Sequence, residues 1–332
     1  MRSNHRGPQW LVDHWHKRSP WLLLLAPLSL LYRAAVALRR WLYRAGLLKT
    51  HRLPVPVIVA GNLTVGGTGK TPLVAWLADN LVQAGYRPGL VARGYGGRAT
   101  HWPQQVRQDS DPVMVGDEAV LLAGKTACPM AVGPDRVAAA RSLLEHSDCN
   151  LILSDDGLQH YALHRDIEIA VIDGVRRFGN GLCLPAGPLR EPVKRMARVD
   201  LVVVNGLGDR GEYPMTMRLT DALALLDSGV RRDLCSFRGQ TVHAVAGIGN
   251  PGRFFAMLRQ AGLRVEEHAF PDHHLYTSGE LAFGDGRPVI MTEKDAVKCR
   301  NLAVDDCWYA PVTIDMPREF TDRMAALLAD AG

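Results

Sequence analysis

The sequence predicts an α/β fold built on a mostly parallel sheet with helices on both faces, followed by a smaller C-terminal α/β domain. Three observations carry this prediction: short apolar runs alternate with helical patterns, a glycine-rich loop follows the first apolar run, and a shorter alternation of the same kind begins near Thr216. The chain has 332 residues and is 47% apolar, which suffices for one large core or two medium ones. Disorder is therefore not expected.

The N-terminal segment, residues 1–52, is both basic and apolar. It holds ten Lys or Arg residues against one acid, Asp13, and its run WLLLLAPLSLL at 21–31 is almost wholly apolar. That run is too short for a spanning helix, which needs about 20 apolar residues. Arginines beside Trp41, Tyr43 and leucines are typical of a helix that lies at the membrane interface. We expect this segment to meet an anionic membrane surface.

The composition of this segment allows three other interpretations. A basic start, a short apolar run and the tripeptide Ala35-Val36-Ala37 resemble a secretory signal. A nucleotide site further along the chain would have no use outside the cytoplasm, which argues against it. A helical hairpin packed on the main domain is the structural alternative. A nucleic-acid-dependent ATPase would rest on the basic residues alone, and we expect no nucleic-acid partner.

The glycine-rich loop has the arrangement of a P-loop NTPase. The run VPVIVA at 55–60 predicts a buried parallel strand, GNLTVGGTGKT follows it, and the pattern from Pro72 to Gly85 predicts a helix. Backbone N–H groups of such a loop, with the positive end of the helix, bind phosphates. We expect the nucleotide to bind Thr64, Val65, Gly66, Gly67, Thr68, Gly69, Lys70 and Thr71. Lys70 would reach the β- and γ-phosphates, and the Thr71 hydroxyl would bind Mg²⁺.

Two departures from related loops leave the function open at this point. The pattern G-x-x-x-x-G-K-[ST] asks for glycine where this chain has Thr64, although Gly66 and Gly67 supply flexibility. The loop is also similar to that of the partition and nitrogenase-iron ATPases, which carry an additional Lys where Val65 stands here. A membrane-surface switch ATPase without a small-molecule acceptor is thus the alternative function, and the missing Lys argues against it.

The remaining elements follow from periodicity and punctuation. Strands are predicted near 55–61, 87–92, 130–132, 150–154, 167–172 and 200–205, and in the smaller domain near 241–246, 263–269, 288–291 and 308–314. Helices are predicted near 71–84, 117–125, 135–146 and 317–330. We divide the chain into residues 1–52, the nucleotide-binding domain 53–215 and the smaller domain 216–332.

Acidic residues follow two predicted elements. The strand LILSDD ends in Asp155 and Asp156, and an acid at a strand end is what a P-loop protein uses in the surroundings of its metal ion. Asp117 and Glu118 in the motif GDE stand at a helix start. A turn or capping role is the alternative for each of them.

Late in the chain, FPDHHLY at 270–276 places Asp272, His273 and His274 between a strand and a helix. An acid beside imidazoles can accept a proton or orient the group that does. Arg93, Arg98 and Arg190 would suit phosphates on a second substrate, because guanidinium groups bind phosphate oxygens in pairs.

Two further patterns predict no site. The segment GIGNPG at 247–252 fits the dinucleotide fingerprint G-x-G-x-x-G, but we interpret it as a tight turn from strand to helix. The six cysteines form neither a C-x-x-C pair nor a compact cluster with histidines. They therefore predict a reducing compartment with no disulfide framework and no zinc site.

Taken in order, TVGGTGKTP, RGYGG, GDE, SDDGLQH and FPDHHLY behind a basic apolar N-terminus resemble the tetraacyldisaccharide 4'-kinases of lipid A synthesis. The resemblance covers nearly the whole chain, and no motif is missing. It implies a monotopic enzyme on the cytoplasmic face of the bacterial inner membrane, which uses ATP and Mg²⁺ to phosphorylate the 4'-hydroxyl of an acylated glucosamine disaccharide phosphate. It implies no obligate protein partner.

The resemblance also assigns roles to residues. It makes Thr64 to Thr71 the ATP loop, and it makes Asp117 and His273 the pair that takes the proton of the acceptor hydroxyl. Glu118, Asp155 and Asp156 would belong to the surroundings of magnesium and substrate. We expect His273 to face the loop across a cleft between the domains.

Overall fold

The structure, a computed structural model, describes residues 14–15, 20–302 and 304–331. Part of the predicted N-terminal segment, residues 1–13 and 16–19, lies outside the described residues. The chain forms two compact units, each discontinuous in sequence. The first comprises Met1–Lys70, Ser154–Met215 and Met316–Gly332, and the second comprises Thr71–Leu153 and Thr216–Asp315. The predicted boundaries after residues 52 and 215 stay predictions.

The helices and strands alternate along most of the chain, and most paired strands run parallel. The helices are α1 (Ala26–Arg44), α2 (Lys70–Gln83), α3 (Pro112–Val115), α4 (Asp117–Lys125), α5 (Arg136–His146), α6 (Pro251–Gln260), α7 (Ser278–Leu281), α8 (Glu293–Cys299) and α9 (Arg318–Ala331). The strands are β1 (Val57–Gly61), β2 (Pro88–Ala92), β3 (Gln104–Val106), β4 (Met130–Val132), β5 (Leu151–Asp155), β6 (Ile167–Asp173), β7 (Leu201–Asn205), β8 (Tyr213–Leu219), β9 (Asp221–Ala224), β10 (Arg231–Asp233), β11 (Thr241–Ala246), β12 (Arg264–Ala269), β13 (Val289–Thr292), β14 (Cys307–Ala310) and β15 (Val312–Asp315). Short 3₁₀ segments cover Pro20–Leu25, Val193–Arg198 and Leu234–Phe237.

In the first unit, parallel strands lie in the order β8, β7, β6, β1. Every residue of β1 and β6 is buried, which explains why β1 reads as a continuous apolar run and why β6 is apolar apart from Glu168 and Asp173. The C-terminal helix α9 belongs to this unit, and its Phe320 packs edge-on against Tyr213 with ring centroids 5.3 Å apart. The glycine loop, residues 64–71, begins just after β1, which is fully buried.

In the second unit, β4 pairs in parallel with β2 and antiparallel with β3. A six-stranded sheet follows with the order β10-β9-β14-β13-β11-β12. Its four strands β14, β13, β11 and β12 are parallel, and β9 and β10 form an antiparallel edge. Phe255 of α6 packs into the core on one face of this sheet, and Leu281 of α7 packs into the core on the other.

The predicted elements recur with shifted ends, apart from one error in the smaller domain. The single strand predicted at 308–314 is two strands, β14 and β15, separated by Pro311. Proline has no N–H to donate, so it interrupts a ladder. The two pieces also pair with different partners, because β14 lies beside β13 and β9 whereas β15 lies beside β8.

Helix α1 has two dissimilar faces. Ser29 is buried and donates a hydrogen bond to the carbonyl of Cys183 at 2.8 Å, and the Tyr32 hydroxyl donates to the carbonyl of Arg190 at 3.0 Å. Leu31 and Leu38 are exposed on the opposite side. Among the described helices, none combines the length and the apolar character that crossing a bilayer would take.

Candidate functional site

The glycine loop of the first unit is braced from two sides. Asn62, which follows β1 and is fully buried, donates from Nδ2 to the carbonyl of Gly66 at 3.4 Å and accepts from Lys70 Nζ at 3.0 Å. The Val65 N–H donates to the carbonyl of Pro188 at 2.9 Å. Gly66 and Gly69 have φ of +107° and +96°, where any other L residue would be strained. These contacts therefore fix the backbone conformation of the loop without a bound phosphate.

Lys70 and Arg190, both candidate residues from the sequence, contact the carboxylate of Asp156, a third candidate. Arg190 Nη1 donates to both Asp156 oxygens at 2.8 Å, and Lys70 Nζ lies 3.3 Å from Oδ1. Asp155 ends β5 and is buried, whereas Asp156 has left the strand with a φ of +50°. Two cations beside the glycine loop give this corner positive charge, which suits a phosphate group.

The loop also contains a hydroxyl suited to a further ligand. Thr68 Oγ1 is buried and has no hydrogen-bond partner among the described residues, while Asn205 Nδ2 donates to the Thr68 carbonyl at 3.1 Å. An unpaired buried hydroxyl costs free energy that a bound phosphate oxygen would recover. Thr71 lies in the first turn of α2, and its hydroxyl with the carboxylates of Asp155 and Asp156 are hard oxygen donors of the kind that Mg²⁺ takes. Their role as metal ligands stays a prediction.

The second unit brings Asp117 and His273 together, although they are far apart in sequence. His273 Nδ1 lies 3.0 Å from each Asp117 oxygen. The Asp117 side chain is only 5% exposed and the His273 side chain 27%. His273 has a φ of +61°, which turns the chain sharply at this point. The imidazole is thus the more accessible member of the pair.

The charges around this pair stabilise its ionised form. Burial alone would raise the pKa of Asp117, but the hydrogen bond from His273 and the nearby Lys294 and Lys298 hold it below its ordinary value. The hydrogen bond to Asp117 raises the pKa of His273 above its ordinary value of 6.5, although burial and Lys294 oppose the shift. A proton that enters the pair is therefore held on the imidazole.

Two lysines of α8 hold the acidic residues around the pair. Lys294 Nζ lies 2.9 Å from Glu118 Oε1 and 3.0 Å from Asp272 Oδ1. Burial would lower the pKa of Lys294, but Glu118, Asp117 and Asp272 raise it, so this amine stays charged. Lys298 Nζ lies 3.8 Å from Asp117 and 2.8 Å from Asp295. These contacts tie the start of α4 and the loop after β12 to one helix.

The RGYGG and GDE motifs pack against each other. Gly116 has a φ of +95°, and a Cβ added there would lie 2.5 Å from the Tyr95 carbonyl oxygen. The Tyr95 ring in turn lies 5.2 Å from the His273 ring. Gly116 is thus required for the close approach that places Asp117 beside His273.

The sequence analysis did not identify Asn62, Lys294 and Lys298 as members of these clusters. Asn62 carried a signal, since it is a polar residue at the end of a buried strand, but Lys294 and Lys298 fall in no motif. Of the three candidate arginines, Arg190 is placed beside predicted site residues. Glu118 contacts Lys294, and its predicted role with the metal is untested.

The G-x-G-x-x-G segment serves packing within the second unit. Gly247 follows β11, and its N–H donates to Asp295 Oδ2 at 2.8 Å. A Cβ at this position would lie 2.6 Å from the Tyr276 hydroxyl. The segment leads from β11 into α6, which agrees with a strand-to-helix turn.

Comparisons with known proteins agree over almost the whole chain. The family model described as tetraacyldisaccharide-1-P 4'-kinase matches residues 21–329. The tetraacyldisaccharide 4'-kinase of Nitrosococcus oceani is 58% identical, over 97% of this chain and 95% of that protein. The tetraacyldisaccharide 4'-kinase of Alkalilimnicola ehrlichii is 54% identical, over 96% of this chain and 97% of that protein.

A solved structure is similar as well. The crystal structure of LpxK from Aquifex aeolicus, described as a complex with ATP, superimposes with a TM-score of 0.78 at 28% sequence identity. The similarity covers 93% of this chain and 99% of that one. The mixed α/β fold with its mostly parallel strands is therefore shared.

The coupling of His273 to Asp117 can be measured directly. In Asp117→Asn the hydrogen bond that raises the pKa of His273 is weakened, so the pKa of His273 should be lower than in wild type. Titration of the imidazole C–H signals by NMR, assigned with His273→Gln, gives the value in each protein. An unchanged His273 pKa in Asp117→Asn would contradict the coupling.

Proposed function

The chain belongs to the tetraacyldisaccharide-1-P 4'-kinase family, and we propose that it transfers the γ-phosphate of ATP to the 4'-hydroxyl of a tetraacyldisaccharide 1-phosphate in lipid A synthesis. The observation that carries the proposal is the match of the family model to residues 21–329. The pairing of Asp117 with His273 supports it, because a sugar hydroxyl is a poor nucleophile until a group accepts its proton.

The glycine loop is the proposed site of the triphosphate. Lys70 would exchange its contacts with Asn62 and Asp156 for the β- and γ-phosphates, with the Thr68 hydroxyl as a further donor. Arg190 keeps Asp156 neutralised beside the developing charge. Mg²⁺ would be held by the Thr71 hydroxyl with the carboxylates of Asp155 and Asp156. When bound, it neutralises charge on the β- and γ-phosphates.

Asp117 and His273 are the proposed acceptors of the hydroxyl proton. Asp117 fixes the ring through Nδ1, so Nε2, which lies 3.7 Å from Asp272 Oδ1, is the nitrogen that would take the proton. The hydrogen bond to Asp117 raises the pKa of His273 above its ordinary value, which makes the ring a stronger proton acceptor. After proton transfer, the Asp117 carboxylate stabilises the imidazolium, and Lys294 keeps that carboxylate ionised although it opposes charge on the ring.

We also propose that α1 lies on an anionic membrane on the cytoplasmic side, where an acylated substrate resides. Leu28, Leu31 and Leu38 of α1 recur at spacings of three and seven residues, Leu24 precedes them in the 3₁₀ segment, and all four are exposed by 54% or more. Such a stripe would be unfavourable in water but is stabilised by burial in the acyl boundary. The same helix carries Arg33, Arg39, Arg40 and Arg44, which we propose as groups that can bind lipid phosphates.

Two substitutions test the chemical roles. Lys70→Ala and Asp117→Asn should each lower kcat by about 100-fold or more, because each removes a group that acts in the transition state. Asp117→Asn should leave the Kd for ATP nearly unchanged, since this carboxylate has no proposed contact with the nucleotide. ATP-dependent phosphorylation of the tetraacyldisaccharide 1-phosphate in detergent gives the rate.

Asp148→Asn, an exposed carboxylate paired only with Arg87 in the described contacts, is the matched control and should retain the wild-type rate. Wild-type turnover in Lys70→Ala or Asp117→Asn would remove that residue from its role. If folded wild-type protein gave no product at all, the proposed activity would be rejected.

The membrane role of α1 is tested by charge placed on its exposed stripe. Leu31 and Leu38 are 67% and 56% exposed, so Leu31→Glu with Leu38→Glu should fold normally. The double variant should bind anionic vesicles at least about tenfold more weakly, because it loses two leucines that the membrane would bury. Leu226→Glu, at a leucine that is 58% exposed elsewhere, should bind like wild type. Equal vesicle partition of the double variant and wild type would refute the assignment.

A further inference from the structure

A second cluster of ionisable side chains lies on neighbouring strands of the six-stranded sheet. In the parallel register of β11 and β12, His243 stands opposite Glu266 and Val245 stands opposite His268. Residues two apart on a strand project to the same face, so Glu266 and His268 share a face. The cluster of His243, Glu266 and His268 offers three ligand atoms that lie within 4.8 Å of one another.

The orientation of His243 matches that of a metal-binding histidine. Its Nε2 lies 3.1 Å from both oxygens of Asp285. An ionised carboxylate can only accept, so Nε2 carries the proton and the lone pair is on Nδ1. That Nδ1 lies 3.0 Å from His268 Nε2 and 3.8 Å from Glu266 Oε2. A carboxylate that fixes the far nitrogen of an imidazole is the usual support of a metal ligand.

We propose that His243, Glu266 and His268 bind a divalent transition-metal ion such as Zn²⁺. The ligand atoms are His243 Nδ1, His268 Nε2 and one Glu266 oxygen, and water completes the coordination. Two imidazoles with one carboxylate are a ligand set that Zn²⁺ accepts. The proposal does not depend on the kinase activity.

The surroundings hold the ligands in place and leave an entry path. The Phe283 ring stacks on His243 at a centroid distance of 3.9 Å and lies 4.3 Å from His268. β12 is an edge strand, and the Glu266 side chain is 49% exposed, so an ion can enter from solvent.

Arg287 competes with the ion for the carboxylates. Its Nη1 lies 2.9 Å from Glu266 Oε2, and its Nε lies 3.2 Å from Asp285 Oδ2. Binding of the ion must therefore displace the guanidinium from Glu266 or share that carboxylate with it. Removal of Arg287 should strengthen metal binding, an effect that a purely structural cluster would not show.

The alternative is a hydrogen-bonded chain that needs no ion. His268 Nε2 would donate to His243 Nδ1, and His243 Nε2 would donate to Asp285. Such a chain pairs both ring nitrogens of His243 and would only link β11, β12 and the loop at Asp285. The two cases differ in one measurable respect: only a metal site binds Zn²⁺ in a way that depends on His268 and Glu266.

The test uses the full chain after treatment with a chelator, without nucleotide or Mg²⁺. Zn²⁺ is titrated calorimetrically, and Co²⁺ is followed by its visible absorption. His268→Gln and Glu266→Gln should each lose one equivalent of bound ion relative to wild type. Asp285→Asn should weaken binding about 10- to 100-fold, and Arg287→Gln should tighten it. His146→Gln, a histidine outside the cluster, should match wild type.

Equal stoichiometry and affinity in wild type, His268→Gln and Glu266→Gln would overturn the proposal and favour the hydrogen-bonded chain. Circular dichroism checks that each variant is folded. Glu266→Gln keeps the volume of an exposed side chain, so it remains a test if His268→Gln does not fold. Loss of the ion in Glu266→Gln alone, with tighter binding in Arg287→Gln, would still support the site.

Discussion

The negative charge of one buried carboxylate, that of Asp117, must be compensated, and the groups that do so organise the second unit. An ionised carboxylate removed from water is unstable unless cations and hydrogen bonds replace its hydration. His273 supplies the hydrogen bond, and Lys294 and Lys298 supply charge from one face of α8. Three segments distant in sequence must therefore converge for α4 to begin where it does. The same convergence leaves an imidazole ring partly exposed with its pKa raised, which is what a proton acceptor requires.

Much of this arrangement could be predicted from local patterns. A buried parallel strand such as β1 appears as an apolar run, and a glycine-rich stretch ending in Gly-Lys-Thr marks a loop before a helix. The resemblance to a kinase family, now established as membership, supplied the pairing of Asp117 with His273. The switch ATPase, the alternative that the loop alone left open, receives no support from the relatives that match this chain.

Other features could not be predicted because they depend on pairing between distant segments. Lys294 and Lys298 lie in a short helix with no motif, and only the packing of α8 gives them a role. Residues 308–314 are predicted as one strand, whereas Pro311 divides them between β14 and β15, which pair with different neighbours. The cluster of His243 and His268 was invisible for the same reason, since no spacing rule links two strands whose register is unknown.

The hydrogen bond from Tyr32 to the Arg190 carbonyl has a practical consequence. Arg190 holds Asp156, and its neighbours Pro188 and Leu189 pair with the glycine loop, so α1 belongs to the scaffold of the proposed nucleotide site. A shortened chain prepared without α1 for ease of handling would lose that support. Inhibitors selected against such a truncated protein would bind a less rigid glycine loop. Their measured affinities would then differ from those for the intact enzyme.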